Sequence, residues 1–194
     1  LYAWSWPTQH IFGRGDPIRS LDDFAGRKIR TVAPQEAEML KRLGASTIAL
    51  TTPEIAVAME RGMMDGLVTA PPTIVAAKLQ DFLKWTWVSE LHMGGPNYEL
   101  VNIAAYEALA PEVRAKLDEV AAEWGAKMNK TMKDGDDGDM KILQDMPQIQ
   151  MIQAKPEDIE TLRVKMDDYL DSWAKENGED AVAMVKELRE ALGR

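Results

Sequence analysis

Short apolar runs alternate with amphipathic segments along the first half of the chain. The predicted strands are 28–32, 46–50 and 65–70, and the predicted helices are 35–43, 53–61 and 71–85. Gly44 and Gly62 follow two of these helices, as glycine commonly does at a helix C-terminus. This alternation of strand and helix signals favours an α/β fold whose sheet is mostly parallel.

Helix signals dominate the second half. One long helix is predicted by an apolar stripe of Val113, Leu117, Val120, Trp124 and Met128. The Gly- and Asp-rich stretch 133–141 is expected to end this helix and form a solvated loop. The other predicted elements are strands at 98–105 and 149–154, a helix from Pro156 through Trp173, and a last helix from Val182 to Leu192.

Composition limits the classes of protein to consider. The chain has 194 residues, 45% of them hydrophobic, which suits one or two compact domains with a real core. A net charge of -9 argues against nucleic acid as a partner, because phosphate binding needs a clustered basic face. Cysteine is absent, which excludes thiol catalysis, disulfides and cysteine metal sites.

The chain begins without Met, in the strand-like segment 1–10. A natural N-terminus rarely has such a sequence, so we interpret the chain as a processed or truncated piece. The lack of a visible signal peptide then carries no information about location.

Polar residues stand at the carboxyl ends of the predicted parallel strands. Arg30, Thr51, Thr52 and Thr69 fall at such ends, where open α/β sheets bind their ligands. Arginine stays charged, and its planar fork matches a carboxylate with two parallel hydrogen bonds. Arg30 is therefore a candidate anchor for an acid. The alternative is an exposed arginine paired with a nearby acidic side chain.

No catalytic or metal-binding motif is evident in the sequence. His10 and His92 each lack a second ligand residue four positions on, so both are expected to be structural or exposed. The acidic stretch from Asp134 does not match a calcium loop of the EF-hand type, because Asp139 and Asp145 stand where Gly and Glu are required. We expect no cofactor and no metal.

Four motifs carry a resemblance to a known family. They are DDFAGRKIR (22–30), LGAS (43–46), PEIAVAMERGMMDG (53–66) and LAPEVRAKL (109–117). In this order and spacing they resemble the substrate-binding proteins of TRAP (tripartite ATP-independent periplasmic) transporters, the DctP-like family. The likeness runs from about residue 1 to the C-terminus.

The resemblance implies a periplasmic-binding-protein-like α/β fold of type II, TRAP-type, with long C-terminal helices. It also implies a non-enzymatic periplasmic receptor that closes over a small organic acid and delivers it to the membrane subunits of a TRAP permease. The family's carboxylate clamp corresponds to Arg30, and other family ligand positions correspond to Gln9, Thr52 and Thr69.

Two departures from the family pattern shape the expected ligand. Thr69 stands where the family usually has Asn, and Gln9 stands where many members have a second basic or polar residue. Gln9 cannot be a second cationic clamp, so we expect a ligand with one carboxylate. Hydrogen bonds and Trp faces, Trp6 among them, would hold the remainder. Some keto-acid-binding members hold a metal, but their acidic ligand aligns close to His92, so the metal is not carried over.

The family's pattern begins earlier than residue 1, which suggests a domain division. Residues 1–95 and 136–194 are expected to form the second α/β ligand-binding domain. Residues 96–135 are expected to give a crossing strand and the long helix to an incomplete first domain. The helix stripe would then lack part of its cover, so we expect the isolated chain to self-associate.

Two other functional classes stay open. A cytoplasmic carboxylate-sensing effector domain of a regulator could share the βαβ pattern, and would come attached to a DNA-binding segment. A small α/β enzyme is the third class, but it needs a nucleophile or base constellation that the sequence does not show.

Overall fold

The computed structural model contains a six-stranded sheet in the order β3–β2–β4–β1–β5–β6. The strands are β1 Tyr2–Gly13, β2 Lys28–Thr31, β3 Ser46–Ala49, β4 Gly66–Thr69, β5 Trp85–Glu99 and β6 Gln150–Gln153. The helices are α1 Pro34–Arg42, α2 Thr52–Glu60, α3 Pro71–Ala76, α4 Ile103–Glu107, α5 Pro111–Gln144, α6 Pro156–Glu176 and α7 Glu179–Ala191. Short 3-10 turns lie at Leu21–Phe24 and Gln80–Phe82. The structure describes residues 1–193, with the backbone alone for 90–94.

The strand–helix alternation predicted for the first half is confirmed. Strand β2 pairs in parallel with both β3 and β4, and helices α1 and α2 connect these strands. The sheet as a whole is mixed, because β1 runs antiparallel to β4 and β5. The carboxyl ends of β2, β3 and β4 therefore share one edge, with helix N-termini beside them.

The helix predicted over 71–85 is wrong beyond its first turns. Helix α3 ends at Ala76, and Lys78 adopts a left-handed φ of 54° that a continuing helix does not allow. The apolar spacing persists past this point because Leu79 and Leu83 are fully buried in the same cluster as Ile74. A helix-like pattern thus arises from a tight turn that faces the core.

The strand predicted over 98–105 is also wrong, since only its first residues are extended. Strand β5 begins at Trp85 and ends at Glu99, and the short helix α4 follows. The side chain of Asn102 caps this helix by accepting a hydrogen bond from the backbone N–H of Ala105 at 3.1 Å.

The expected break at 133–141 does not occur, because helix α5 continues through it to Gln144. Ion pairs one turn apart join Lys130 to Asp134 and Lys133 to Asp137 along this stretch. Such pairs stabilise a helix modestly and help to offset the low helix propensity of Gly135 and Gly138.

Helices cover both faces of the sheet. Ile11 and Val68 belong to one apolar cluster with Leu162 of α6. Their chain neighbours Phe12 and Leu67 belong to another cluster with Leu143 of α5. This follows from the alternation of side chains along a strand.

The tryptophans of the first part of β5 are core residues. Trp85 and Trp87 are 1% and 0% exposed, and the ring of Trp87 meets Phe24 edge-on at 5.3 Å.

The division into 1–95 with 136–194 and a separate 96–135 segment stays a prediction. Helix α5 is tied to β1 by a 2.8 Å hydrogen bond from the backbone N–H of Ser5 to Oδ1 of Asn129.

Candidate ligand-binding site

A cavity of about 340 Å³ lies at the edge of the sheet where β2 and β4 end. Its walls come from β1, β2 and β4, from the first turns of α1 and α2, from α3, and from residues 95–97 of β5. The volume is in the range of small-molecule pockets. The position is the one at which open α/β sheets bind ligands.

The structure brings all five predicted site residues to this cavity. Trp6 and Gln9 reach it from β1, Arg30 from β2, Thr52 from the first position of α2, and Thr69 from the end of β4. Residues that are far apart in the chain therefore lie around one cavity. The roles of these residues in binding remain proposals.

Arg30 is the cation of the cavity and is 3% exposed. Its Nε donates a hydrogen bond to the carbonyl of Leu50 at 2.9 Å, and Nη1 donates to the carbonyl of Val68 at 3.5 Å. Burial lowers the pKa of Arg30, and the negative charge of Glu36 opposes that shift. Arginine nevertheless remains charged at any working pH.

Sequence reasoning missed Glu36, which lines the cavity and is 6% exposed. Its Oε2 accepts hydrogen bonds from the backbone N–H groups of Val32 and Ala33, at 3.1 and 3.4 Å. An acidic side chain at the third position of a helix commonly reaches back to the N-cap in this way. The signal in the sequence that could have found it was its position two residues after Pro34, in a helix that begins beside the cavity.

Gln9, which lines the cavity, has a buried side-chain amide oxygen. Its Oε1 has no hydrogen-bond partner among the residues that the structure describes. A buried acceptor without a partner is unusual and calls for an explanation.

The floor of the cavity is formed by neighbouring strands. Thr69 is 6% exposed and lies opposite His10 in the antiparallel pairing of β4 with β1. His10 is 4% exposed, and burial lowers its pKa to about 4. His10 is thus a structural residue and not a surface one, while the prediction for the His92 side chain lies outside the described residues.

Trp6 stands at an irregular part of β1. The β1–β5 register shifts on both sides of Trp6 and again between Gln9 and Ile11. The ring centroid of Trp6 lies 5.7 Å from that of Trp4, at an interplanar angle of 45°. Register shifts of this kind re-aim side chains, and here they occur beside the cavity.

Within the described part of the chain, no group of three or more His, Asp or Glu side chains is arranged to hold a metal ion. None of the helices in residues 1–193 has the length and apolar character needed to cross a bilayer.

A sheet covered by helices on both faces, with a small cavity at its strand ends, is the architecture of an α/β protein that binds a small ligand at the edge of its sheet. The family model "DctP: Bacterial extracellular solute-binding protein, family 7" matches residues 2–177, and the chain belongs to this family.

Curated relatives are similar over part of their length. The C4-dicarboxylate-binding periplasmic protein DctP of Rhodobacter capsulatus is 25% identical over 179 residues, which cover 91% of this chain and 53% of that protein. A solute-binding protein of Albidiferax ferrireducens is 31% identical over 84 residues, or 43% of this chain and 25% of that protein. The chain spans about half the length, or less, of these relatives.

Solved structures share the fold. DctP6 of Bordetella pertussis, an extracytoplasmic solute receptor binding pyroglutamic acid, is 26% identical with a TM-score of 0.85, covering 98% of this chain and 62% of that chain. A TRAP periplasmic solute-binding protein from Desulfovibrio salexigens with bound orotic acid is 20% identical with a TM-score of 0.80, covering 95% and 60%. The predicted family and TRAP-type α/β fold with long C-terminal helices are confirmed.

Proposed function

We propose that the chain is the ligand-binding part of a periplasmic receptor that holds a small organic carboxylate through Arg30 and delivers it to a TRAP permease. The observation that carries this proposal is a buried guanidinium in a cavity of small-molecule size. Gln9, Thr52 and Thr69 supply hydrogen-bonding groups around it, and Trp6 supplies an apolar wall.

The clamp follows from the chemistry of a buried cation. The two carbonyl contacts of Arg30 use only part of its fork of N–H donors. A carboxylate can accept from the remaining donors in a bidentate arrangement, which is the strongest hydrogen-bonding geometry available to arginine. An anion also offsets the desolvation that lowers the pKa of Arg30.

The ligand class is a small acid with one carboxylate. Among the described residues that line the cavity, Arg30 is the single cationic side chain. DctP6 of Bordetella pertussis, an extracytoplasmic solute receptor binding pyroglutamic acid, shows that this fold accommodates an acid of that size.

The alternatives have distinct signatures. The relatives and solved structures described above are named as solute-binding proteins or receptors, which favours a receptor over an enzyme. Turnover of a bound acid would favour the enzyme, and a DNA-binding segment in the same polypeptide would favour the cytoplasmic effector domain. Mass spectrometry of the acid released from the denatured full-length protein would identify the natural ligand.

The decisive test is Arg30→Ala in the full-length protein, with affinity measured by titration calorimetry. Truncating one partner of a buried charge pair costs about 2–5 kcal/mol, which corresponds to a roughly 30- to several-thousand-fold weaker affinity. Arg163→Ala is the matched control, because Arg163 is exposed on α6 and pairs with Glu160 outside the cavity. Near-native affinity of Arg30→Ala for the acid would contradict the proposal.

A further inference from the structure

The cavity holds an acid as well as a cation. Glu36 is as buried as Thr69, and its charge acts on Arg30 directly. Its carboxylate is fixed by the N–H groups of Val32 and Ala33, at the start of α1. Backbone N–H donors and a helix N-terminus both favour a negative charge at this position.

A second acceptor comes from strand β1. The buried Oε1 of Gln9 has no hydrogen-bond partner within the described residues, and Gln9 lines the same cavity. Leaving a buried acceptor unpaired carries a free-energy cost, which a ligand removes if it brings a donor to this oxygen.

These two acceptors restrict what the remainder of a ligand can be. Once a carboxylate lies on Arg30, a second carboxylate would meet the charge of Glu36, and no other cation stands among the described lining residues. Like charges in a poorly hydrated cavity repel strongly. An N–H or O–H group would instead find an acceptor.

We infer that Glu36 and Gln9 are specificity-determining residues that select monocarboxylates with an N–H or O–H donor beside the carboxylate and that Glu36 excludes dicarboxylates. The inference rests on the proposed function, in which Arg30 holds the ligand's carboxylate. It assigns Glu36 a task beyond that of a helix cap.

The test uses three probe acids on the full-length protein. Pyroglutamate carries a ring N–H beside its carboxylate. The lactone 5-oxotetrahydrofuran-2-carboxylate has the same shape with an ether oxygen in place of that N–H. Succinate carries a second carboxylate. We expect pyroglutamate to bind roughly 10- to 100-fold more tightly than the lactone, as a hydrogen bond to a charged group allows, and succinate to bind more weakly than pyroglutamate.

Two variants separate the acceptors. Glu36→Gln should reduce the preference for the lactam over the lactone and raise the affinity for succinate relative to the lactone. Gln9→Met should also reduce the lactam preference, but it should leave the affinity for succinate relative to the lactone unchanged. Glu38→Gln is the matched control, because Glu38 lies on the same helix and pairs with Arg42 outside the cavity. It should change none of the ratios.

The outcomes distinguish a failure of the inference from a failure of the proposed function. If Arg30→Ala weakens binding but the native protein binds lactam and lactone equally, the inference falls and the clamp stands. The same conclusion follows if Glu36→Gln leaves the succinate ratio unchanged. If the Glu36 variant does not fold, the native lactam-to-lactone ratio and Gln9→Met decide. Binding of none of the three acids would overturn the inference, and acid binding that is indifferent to Arg30→Ala would overturn the proposed function itself.

Discussion

Arg30 takes part in the fold and in the site at the same time. Its hydrogen bond to the carbonyl of Leu50 joins the end of β2 to the segment that follows β3. Removing the side chain leaves that carbonyl without its donor, so some loss of thermal stability should accompany the loss of binding. The binding effect is therefore best judged on samples shown to be folded.

Conservative changes at the clamp should rank in a fixed order. Arg30→Lys keeps the charge but loses the planar fork, so it should bind the acid more weakly than the native protein and more tightly than Arg30→Ala. Thr69→Val removes one neutral partner, worth about 0.5–1.5 kcal/mol, and should weaken binding about 2- to 10-fold. Calorimetry on folded samples checks the order. Full affinity in Arg30→Lys would show that the fork is not used.

His10 should make the stability of the protein depend on pH. Burial lowers its pKa from 6.5 to about 4, so between these values the unfolded chain binds a proton that the folded protein does not. The free energy of unfolding is therefore highest above pH 6.5. It falls as the pH drops towards 4, by an amount on the order of 3 kcal/mol.

Urea unfolding of the native protein and of His10→Gln at several pH values checks this expectation. Titrations common to both proteins cancel in the difference between their free energies of unfolding. That difference should change between pH 6.5 and pH 4 and be constant above pH 7. Parallel curves would show that His10 is not held neutral by burial.

The residues of the site differ in how well sequence could predict them. Arg30, Thr52 and Thr69 follow from strand ends, and the family resemblance added Gln9. Glu36 was missed because an acid in the first turn of a helix is usually a cap, and it is one here too. Asn97 was missed because the path of β5 was not predicted.

At the scale of elements, local patterns predicted the structure where the apolar alternation and the residues at helix ends agree. The β2–α1–β3–α2–β4 segment combines alternating apolar runs with Pro and Gly at helix ends, and its predicted bounds agree closely with the structure. The pattern failed where tertiary burial imitates helical spacing, at Leu79 and Leu83. The pattern also failed at Gly135 and Gly138, where helix α5 continues and exposed ion pairs stabilise it.

Gly66, the last residue of the PEIAVAMERGMMDG motif, has a packing role that a simple substitution can test. A Cβ on Gly66 would lie 2.7 Å from the carbonyl oxygen of Phe12 on the neighbouring strand. Gly66→Ala should therefore separate β4 from β1 and destabilise the protein by about 1–3 kcal/mol. Ligand affinity should fall as well, because Thr69 stands at the other end of β4.

The matched control for this prediction is Gly135→Ala. A Cβ on Gly135 meets nothing within 4 Å, and the residue lies inside helix α5. The same substitution should there stabilise the protein by about 0.5–1 kcal/mol. Chemical unfolding measures both, and equal signs for the two variants would contradict the packing argument.

At the scale of the whole molecule, the first part of α5 carries exposed apolar side chains. Val113 is 48% exposed and Trp124 is 46% exposed. Val113, Leu117 and Val120 line an apolar groove of about 440 Å³. The expected exposure of the stripe is thus present in the structure, while its assignment to an incomplete first domain remains a proposal.

We expect the chain of 194 residues to self-associate through this stripe. Light scattering should show species larger than a monomer at micromolar concentration, and Val113→Lys combined with Trp124→Lys should restore the monomer. Val164→Lys is the control, because Val164 is 59% exposed on α6 and outside the stripe. A monomeric native chain that binds no exposed-surface dye would contradict the prediction.

The interrupted pairing of β1 with β5 has a mechanical consequence. The register shifts fall between Ser5 and Trp6, between Trp6 and Thr8, and between Gln9 and Ile11. A two-stranded ladder bends most easily where its regular hydrogen bonding is interrupted. We therefore expect β1 and β5 to form a hinge whose axis passes through two residues that line the cavity. A ligand that contacts these residues would restrict bending there, so that binding would reduce the flexibility of the β1–β5 ribbon.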